Sequence, residues 1–181
     1  KEYKKNKNAK PLILMGYFNL ILQFGPAAFL KKCRKVGVDG LIIVDLPYPE
    51  NKYFANQCKR NKISFIQLLA PTTSKKRLKK IIKDSHGVLY YISMLSTTGG
   101  KLKVSPKKIL NNYKKIKNIN PNKNLVVGFG ITTETIATLK KADGLVVGSQ
   151  LCKEITRSLQ LRENPVKNLN KMVFNLKRRI I

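Results

Sequence analysis

Leu125-Val126-Val127-Gly128-Phe129-Gly130-Ile131 decides how this chain is read, and Gly144-Leu145-Val146-Val147-Gly148-Ser149 repeats its logic. Each is a short β-rich apolar run that ends in a glycine turn and leads into an amphipathic segment, so the turn closes a strand and opens a helix. A run that is apolar at every position, not at alternate ones, marks a strand covered on both faces, as in a parallel sheet flanked by helices. Glycine leaves no Cβ between an approaching anion and the backbone N–H groups at the start of the helix. The two turns, on successive strands, therefore predict one anion site.

Working outward, the same alternation runs through the chain. Strand candidates are Leu12–Tyr17, Gly40–Leu46, Ser64–Leu69, Val88–Ser93, Leu125–Gly128 and Gly144–Gly148. Between them the spacing is helical: Phe29, Leu30, Cys33 and Val36 share one face, and Leu78, Ile81 and Ile82 another, with lysines opposite. Asn51–Arg60 and Ser105–Ile116 also read as helices, the second opened by a Ser-Pro pair suited to an N-cap and first position. Thr133–Lys140 and Val166–Arg178 complete the series. Six strand–helix units without a composition break predict one α/β domain over residues 1–181. A (β/α)8 barrel typically takes about 250 residues, so six units leave roughly two unaccounted for. The expectation is a (β/α)8 TIM barrel of which strands three to eight are present and the N-terminal two units are missing; the alternative, a complete six-stranded open sheet, explains only the length. An opened barrel exposes two strand edges, so poor folding is expected as well.

Composition narrows the function classes. The formal charge is +28, yet only seven of the 37 basic residues are arginine and the lysines are spread along most of the chain. Runs such as Lys115-Ile116-Lys117-Asn118-Ile119-Asn120 read as solvated faces, and the tyrosines at 17, 90 and 91 fall in predicted core strands. A specific nucleic-acid surface would instead cluster arginines and aromatics on one face. The longest apolar stretches reach about eight residues, short of the roughly 20 that span a bilayer. Cys33, Cys58 and Cys152 are odd in number and lie far apart in predicted helices, which suits reduced thiols in a cytoplasmic protein and not a metal site.

Two nucleotide motifs are excluded. Thr133 stands where a dinucleotide fingerprint needs its third glycine, and Gly99-Gly100-Lys101 is followed by Leu102, with Leu95 in place of the first glycine of a P-loop.

The chain resembles the tryptophan synthase alpha chain family between about Pro11 and Glu154. The resemblance is carried by Leu14-Met15-Gly16-Tyr17-Phe18-Asn19, Gly37-Val38-Asp39-Gly40, Val44-Asp45-Leu46-Pro47, Leu69-Ala70-Pro71-Thr72 and Tyr90-Tyr91-Ile92-Ser93. It closes with Val127-Gly128-Phe129-Gly130-Ile131 and with Ala142-Asp143-Gly144 running into Val147-Gly148-Ser149. It implies a lyase that splits indole-3-glycerol phosphate into indole and glyceraldehyde 3-phosphate, with no cofactor or metal in this chain. Its partner would be a pyridoxal-phosphate beta chain in an alpha2beta2 tetramer. By the same resemblance Gly99, Gly130, Gly148 and Ser149 would hold the substrate phosphate. Tyr90 would lie on the barrel floor, Met15, Ile42, Leu68 and Phe129 would line the apolar pocket, and Thr98 would belong to the loop that closes over substrate. Asn19, Pro47, Tyr48 and Pro49 would lie in loops facing the beta chain. Ser96, Thr97 and Gln150 depart from the family pattern.

Cleavage of such a substrate needs groups that move protons, so paired carboxylates are expected. Of the nine acidic residues, Glu134, Glu154 and Glu163 fall on predicted helices, Asp39 and Asp143 precede strands, and Asp84 lies with His86 in a helix–strand turn. Asp45 alone ends a strand, where catalytic groups of a barrel belong. The resemblance gives Asp45 a supporting role only and places the catalytic Glu and Asp before the stretch that starts at Pro11. No catalytic residue is therefore expected in this chain, which alone should be inactive. The other readings are an indole-glycerol-phosphate synthase or ribulose-phosphate epimerase type barrel and a basic nucleic-acid module. The epimerase would need several histidines where there is one, and the synthase a lysine and a glutamate at strand ends.

Overall fold

The computed structural model describes residues 2–93, 105–128 and 130–180. It divides into two compact units, one of residues 1–68 and 74–89, the other of residues 69–73 and 90–181. The first contains α1 (Glu2–Lys5), β1 (Ile13–Gly16), α2 (Phe18–Phe24), α3 (Pro26–Val36), β2 (Gly40–Ile43), α4 (Lys52–Arg60), β3 (Ser64–Phe65) and α5 (Lys75–Asp84). Strands β4 (Gln67–Leu69) and β5 (Leu89–Ile92) follow β3 and α5. The second unit continues with α6 (Pro106–Lys117), β6 (Leu125–Gly128), α7 (Ile136–Leu139), β7 (Gly144–Val146), α8 (Ser149–Gln160) and α9 (Pro165–Arg178). The sheets run β1-β2-β3 and β4-β5-β6-β7. The β1–β2, β2–β3 and β6–β7 pairs are parallel, with Ile13 opposite Gly40 and Val126 opposite Gly144.

Local chemistry explains the helix ends. Ser74, Ser105 and Asn164 each accept a hydrogen bond from the backbone N–H three residues on, satisfying an orphan donor of the first turn. Pro106 and Pro165 then occupy the first helical position, where a missing N–H costs nothing. Helix α3 stops at Gly37, which is left-handed at φ 87° and donates to Arg34 O, while Val38 N–H donates to Cys33 O. This is the doubly bonded ending that glycine favours.

The core of the first unit gathers β2 with the inner faces of α3 and α4. All four residues of β2 are buried, as its unbroken apolar run predicts. Leu30, Cys33, Phe54, Cys58 and Phe65 close around it, with Phe54 edge-on to both Phe18 and Phe65 at centroid distances of 5.1 and 6.1 Å. In the second unit Tyr91, Ile109, Leu125, Val127, Ile136 and Leu139 are each at most 1% exposed.

The two units share one structural device. Asp39, just before β2, accepts from Leu12 N–H at 2.6 Å and from Lys4 Nζ at 2.5 Å. Asp143, just before β7, accepts from Leu125 N–H at 2.8 Å and from Lys117 Nζ at 2.6 Å. Each carboxylate thus ties the start of its own strand to the start of the preceding one.

Several expectations are corrected. The single strand over Ser64–Leu69 is two segments, β3 and β4, interrupted at Ile66. Asn19, expected in a loop, sits on helix α2. The helix expected over Thr133–Lys140 is only Ile136–Leu139, which leaves Glu134 in the preceding turn, and Glu163 falls between α8 and α9. Tyr17, assigned to a core strand, lies beyond β1 and is 57% exposed.

Candidate functional site

Among the expected site residues, the second unit holds Tyr90, Gly130, Gly148 and Ser149. Gly128 ends β6, and Gly130 turns the chain in the left-handed region at φ 66°, a conformation that side chains resist. Gly148 precedes α8, whose start carries no side-chain cap, and Ser149 is its first residue. A Cβ added at Gly148 would meet only open space. The first N–H groups of α8, with the positive end of its dipole, are thus available to an anion.

Tyr90, on β5, is 8% exposed, and burial pushes its phenol above the usual value. Its ring lies across Gly128 so closely that a Cβ there would stand 1.9 Å from Tyr90 Oη. Glycine at 128 is therefore a packing requirement set by Tyr90. At the end of the same strand Ser93 is fully buried; its backbone N–H and its hydroxyl both donate to Gly128 O, at 3.0 and 2.8 Å. On the far side of the turn Thr135 Oγ1 donates to Gly130 O at 2.9 Å while accepting from Thr132 N–H at 2.9 Å. Sequence reasoning missed both hydroxyl residues. Thr132, Thr133 and Thr135 directly after a glycine turn were the available signal, because such hydroxyls habitually bond nearby backbone.

The remaining expected residues lie elsewhere or outside the description. Met15 on β1 is 58% exposed, Ile42 on β2 is buried, and Leu68 on β4 is half-buried, all three belonging to the first unit. Thr98, Gly99 and Phe129 fall outside the described residues.

The carboxylates are engaged in structure. Asp45 Oδ1 accepts from Phe18 N–H at 2.7 Å and so anchors the start of α2. Glu134 accepts from the Thr132 and Thr133 hydroxyls, which hold its carboxyl down to about 2. Glu154 and Glu163 pair with Arg157, and Asp84 with Lys52. Glu134, Glu154 and Asp84, held ionised by such partners, are poor proton donors near neutrality. Among the described residues no cluster of His, Cys, Asp or Glu could hold a metal ion.

In the first unit the loop after β2 is braced from α4 and α5. Tyr48 Oη donates to Asp84 Oδ2 at 2.8 Å, Lys52 Nζ reaches the same oxygen at 2.8 Å, and Arg77 donates to Tyr48 O. The Tyr48–Pro49 bond is cis. A groove of about 310 Å³ opens beside the loop, lined by Tyr48, Pro49, Ser74, Lys76, Arg77 and Lys80. In the same unit Asn51, 2% exposed, donates from Nδ2 to Gln67 Oε1 at 2.8 Å, a buried amide pair that nothing in the local sequence announced.

Comparison with known proteins gives this geometry a family. The profile of the tryptophan synthase alpha chain matches residues 1–180, beyond the Pro11–Glu154 stretch that holds the motifs. The chain is 66% identical over 180 residues to the tryptophan synthase alpha chain of Pelagibacter ubique (strain HTCC1062), covering 99% of this chain and 68% of that one. It is 37% identical over 169 residues to the Petrotoga mobilis alpha chain, covering 92% and 65%. The solved alpha subunit of Legionella pneumophila str. Paris superposes with a TM-score of 0.86 at 30% identity, over 99% of this chain and 66% of that one. The Pyrococcus furiosus tryptophan synthase complex matches at 0.81 and 31%, over 97% and 69%. The chain thus spans about two thirds of the length of these relatives. Matched in sequence from end to end and in fold over the same span, it belongs to the tryptophan synthase alpha chain family.

Proposed function

We propose that this chain is the phosphate-holding part of an enzyme that cleaves indole-3-glycerol phosphate to indole and glyceraldehyde 3-phosphate. The observation that carries the reading is the pair of glycine turns at the ends of neighbouring parallel strands β6 and β7, in a member of this family. Gly130, Gly148 and Ser149 hold the phosphate through backbone N–H groups. Tyr90 forms the floor of the site.

The fold we infer is a (β/α)8 barrel of which six units are present over residues 1–181, preceded by two units that bring the catalytic Glu and Asp. Two features support this. The relatives are about half as long again, and among the described residues β1 is an edge strand whose Ile13, Leu14 and Met15 are 45%, 39% and 58% exposed. Apolar side chains on an open strand edge need a cover. A pyridoxal-phosphate beta chain is the inferred partner, and the braced Tyr48–Pro49 loop with its cationic groove is the surface we assign to it. A cytoplasmic location belongs to the same reading, supported by three free cysteines, two of them buried. Among the described residues no helix is long and apolar enough to cross a membrane.

The test is indole release from indole-3-glycerol phosphate. The 181-residue chain should release none, and a fusion that supplies the unmatched third of the Pelagibacter ubique relative should release it. Cleavage by the chain alone overturns the assignment of catalysis to the preceding units, and a folded but inactive fusion overturns the proposed activity.

A further inference from the structure

A backbone turn that binds an anion must aim its N–H groups at the ligand and keep its carbonyl oxygens away, since a carbonyl oxygen carries partial negative charge. In the turn after β6 the carbonyls of both Gly128 and Gly130 are captured by protein hydroxyls. Gly128 O accepts from Ser93 twice, from N–H at 3.0 Å and from Oγ at 2.8 Å. Gly130 O accepts from Thr135 Oγ1 at 2.9 Å. The direction of the second bond is fixed, because a carbonyl oxygen can only accept; the same hydroxyl oxygen in turn accepts from Thr132 N–H at 2.9 Å. Ser93 comes from the end of β5 and is fully buried, while Thr135 stands just before α7, so the turn is gripped from both sides.

We propose that Ser93 and Thr135 are positioning residues for the anion site: by holding the carbonyls of Gly128 and Gly130 they fix the two rigid peptide units that flank the one carrying Gly130 N–H, and so keep that N–H facing the ligand. This rests on the anion-site reading given above. Neither residue touches the anion itself. Both act through the backbone, so their loss misaims a donor without removing one. Misaiming one charge-assisted hydrogen bond weakens binding by roughly tenfold.

The test is an NMR titration of the amide groups with inorganic phosphate in the folded fusion described above, at ionic strength held constant with chloride so that the chain's general attraction for anions cancels. In the unsubstituted fusion phosphate should shift the Gly130, Gly148 and Ser149 amides with one common affinity. In Thr135→Val, which keeps the shape and loses the hydroxyl, affinity should fall roughly tenfold, with the Gly130 response lost and the Gly148 and Ser149 responses retained. Thr135→Ser should restore the native behaviour, and Ser93→Ala should weaken binding in the same direction. A purely structural role would lower the unfolding temperature without singling out Gly130. Native affinity and an intact Gly130 response in Thr135→Val overturn the positioning role and leave the anion site standing. No phosphate response at Gly130, Gly148 and Ser149 in the unsubstituted fusion overturns the anion site and this inference with it.

Discussion

Replacing Gly128 by Ala puts one methyl group where Tyr90 already stands. The added Cβ would lie 1.9 Å from Oη, 2.3 Å from Cζ and 2.6 Å from Cε1 of that ring. Carbon atoms in ordinary contact are about 3.5–4.0 Å apart, so the ring or the strand must shift by well over an ångström. Tyr90 is 8% exposed between Leu89 and Tyr91, both 1% exposed, in an interior with no spare room. Forced insertion into a packed core costs typically 1–3 kcal/mol, and three atoms in collision place this case near the top, at about 3 kcal/mol. For a domain of this size each kcal/mol lowers the unfolding temperature by roughly 2–4 °C, so a fall of about 6–12 °C is expected by circular dichroism. The companion variant fixes the cause. Gly128→Ala with Tyr90→Phe removes only the atom at 1.9 Å and leaves the ring carbons at 2.3 and 2.6 Å, so it should recover little. Gly128→Ala with Tyr90→Val removes the ring, and its cost should fall below the sum of the two single costs by about 1–3 kcal/mol. An unfolding temperature for Gly128→Ala within about 2 °C of native, less than the shift from 1 kcal/mol, would refute the packing argument.

Acid should weaken the fold through the two pinning aspartates. Asp39 is held below the usual range by Lys4 and Leu12 N–H; for Asp143 burial pushes upward, but Lys117, Leu125 N–H and Tyr113 outweigh it. A depressed folded pKa adds stability above the unfolded value near 3.9, and that stability is lost as pH falls through the folded value. Denaturant midpoints should therefore hold from pH 7 to about 5 and drop below about 4, each aspartate contributing at most about 1 kcal/mol because both are partly exposed. The Asp39→Asn, Asp143→Asn double variant should start lower at neutral pH and show a flatter acid slope, and an unchanged slope would count against this account. Cysteine labelling at pH 8 should report one fast site: Cys152 is exposed, whereas Cys33 and Cys58 are buried and burial pushes the Cys58 thiol to about 12. Labelling of all three at equal rates in the native chain would contradict the packed α3–α4 core.

What the sequence reveals depends on how local the cause is. The glycine turns are legible because absent side chains at a strand end act at that spot. The buried runs of β2 and β6 are legible because burial on both faces removes every polar residue from the strand. Helix α2 was not, since Phe18-Asn19-Leu20-Ile21-Leu22-Gln23-Phe24 has no clean polar face: Ile21 is buried while Leu20, Leu22 and Phe24 are 56–60% exposed. Its start is fixed by Asp45, 27 residues away, which accepts from Phe18 N–H. Helix α7 is shorter than its pattern because the Thr132 and Thr135 hydroxyls bond the backbone and one another in place of a first helical turn. The break at Ile66 leaves no trace in an apolar run, and the Asn51–Gln67 pair joins two residues that no local pattern connects.

The same distinction explains how the proposed site is kept in shape. At the entry end of β6 and β7, Asp143 ties Leu125 N–H to the start of its own strand and pairs with Lys117. Between the ends, the parallel ladder sets Val126, Val127 and Gly128 opposite Gly144, Leu145 and Val146. At the exit end Ser93 and Thr135 hold the carbonyls on either side of the turn. A ladder pinned at its entry and gripped at its exit cannot slip by one residue without breaking bonds at both ends. The Gly130 turn and the start of α8 therefore keep a fixed separation, as two groups of N–H donors must if they are to hold one small anion. Loss of the Asp143 pin should on this argument weaken phosphate binding as well as stability, although the carboxylate sits at the opposite end of the strands from the glycine turns.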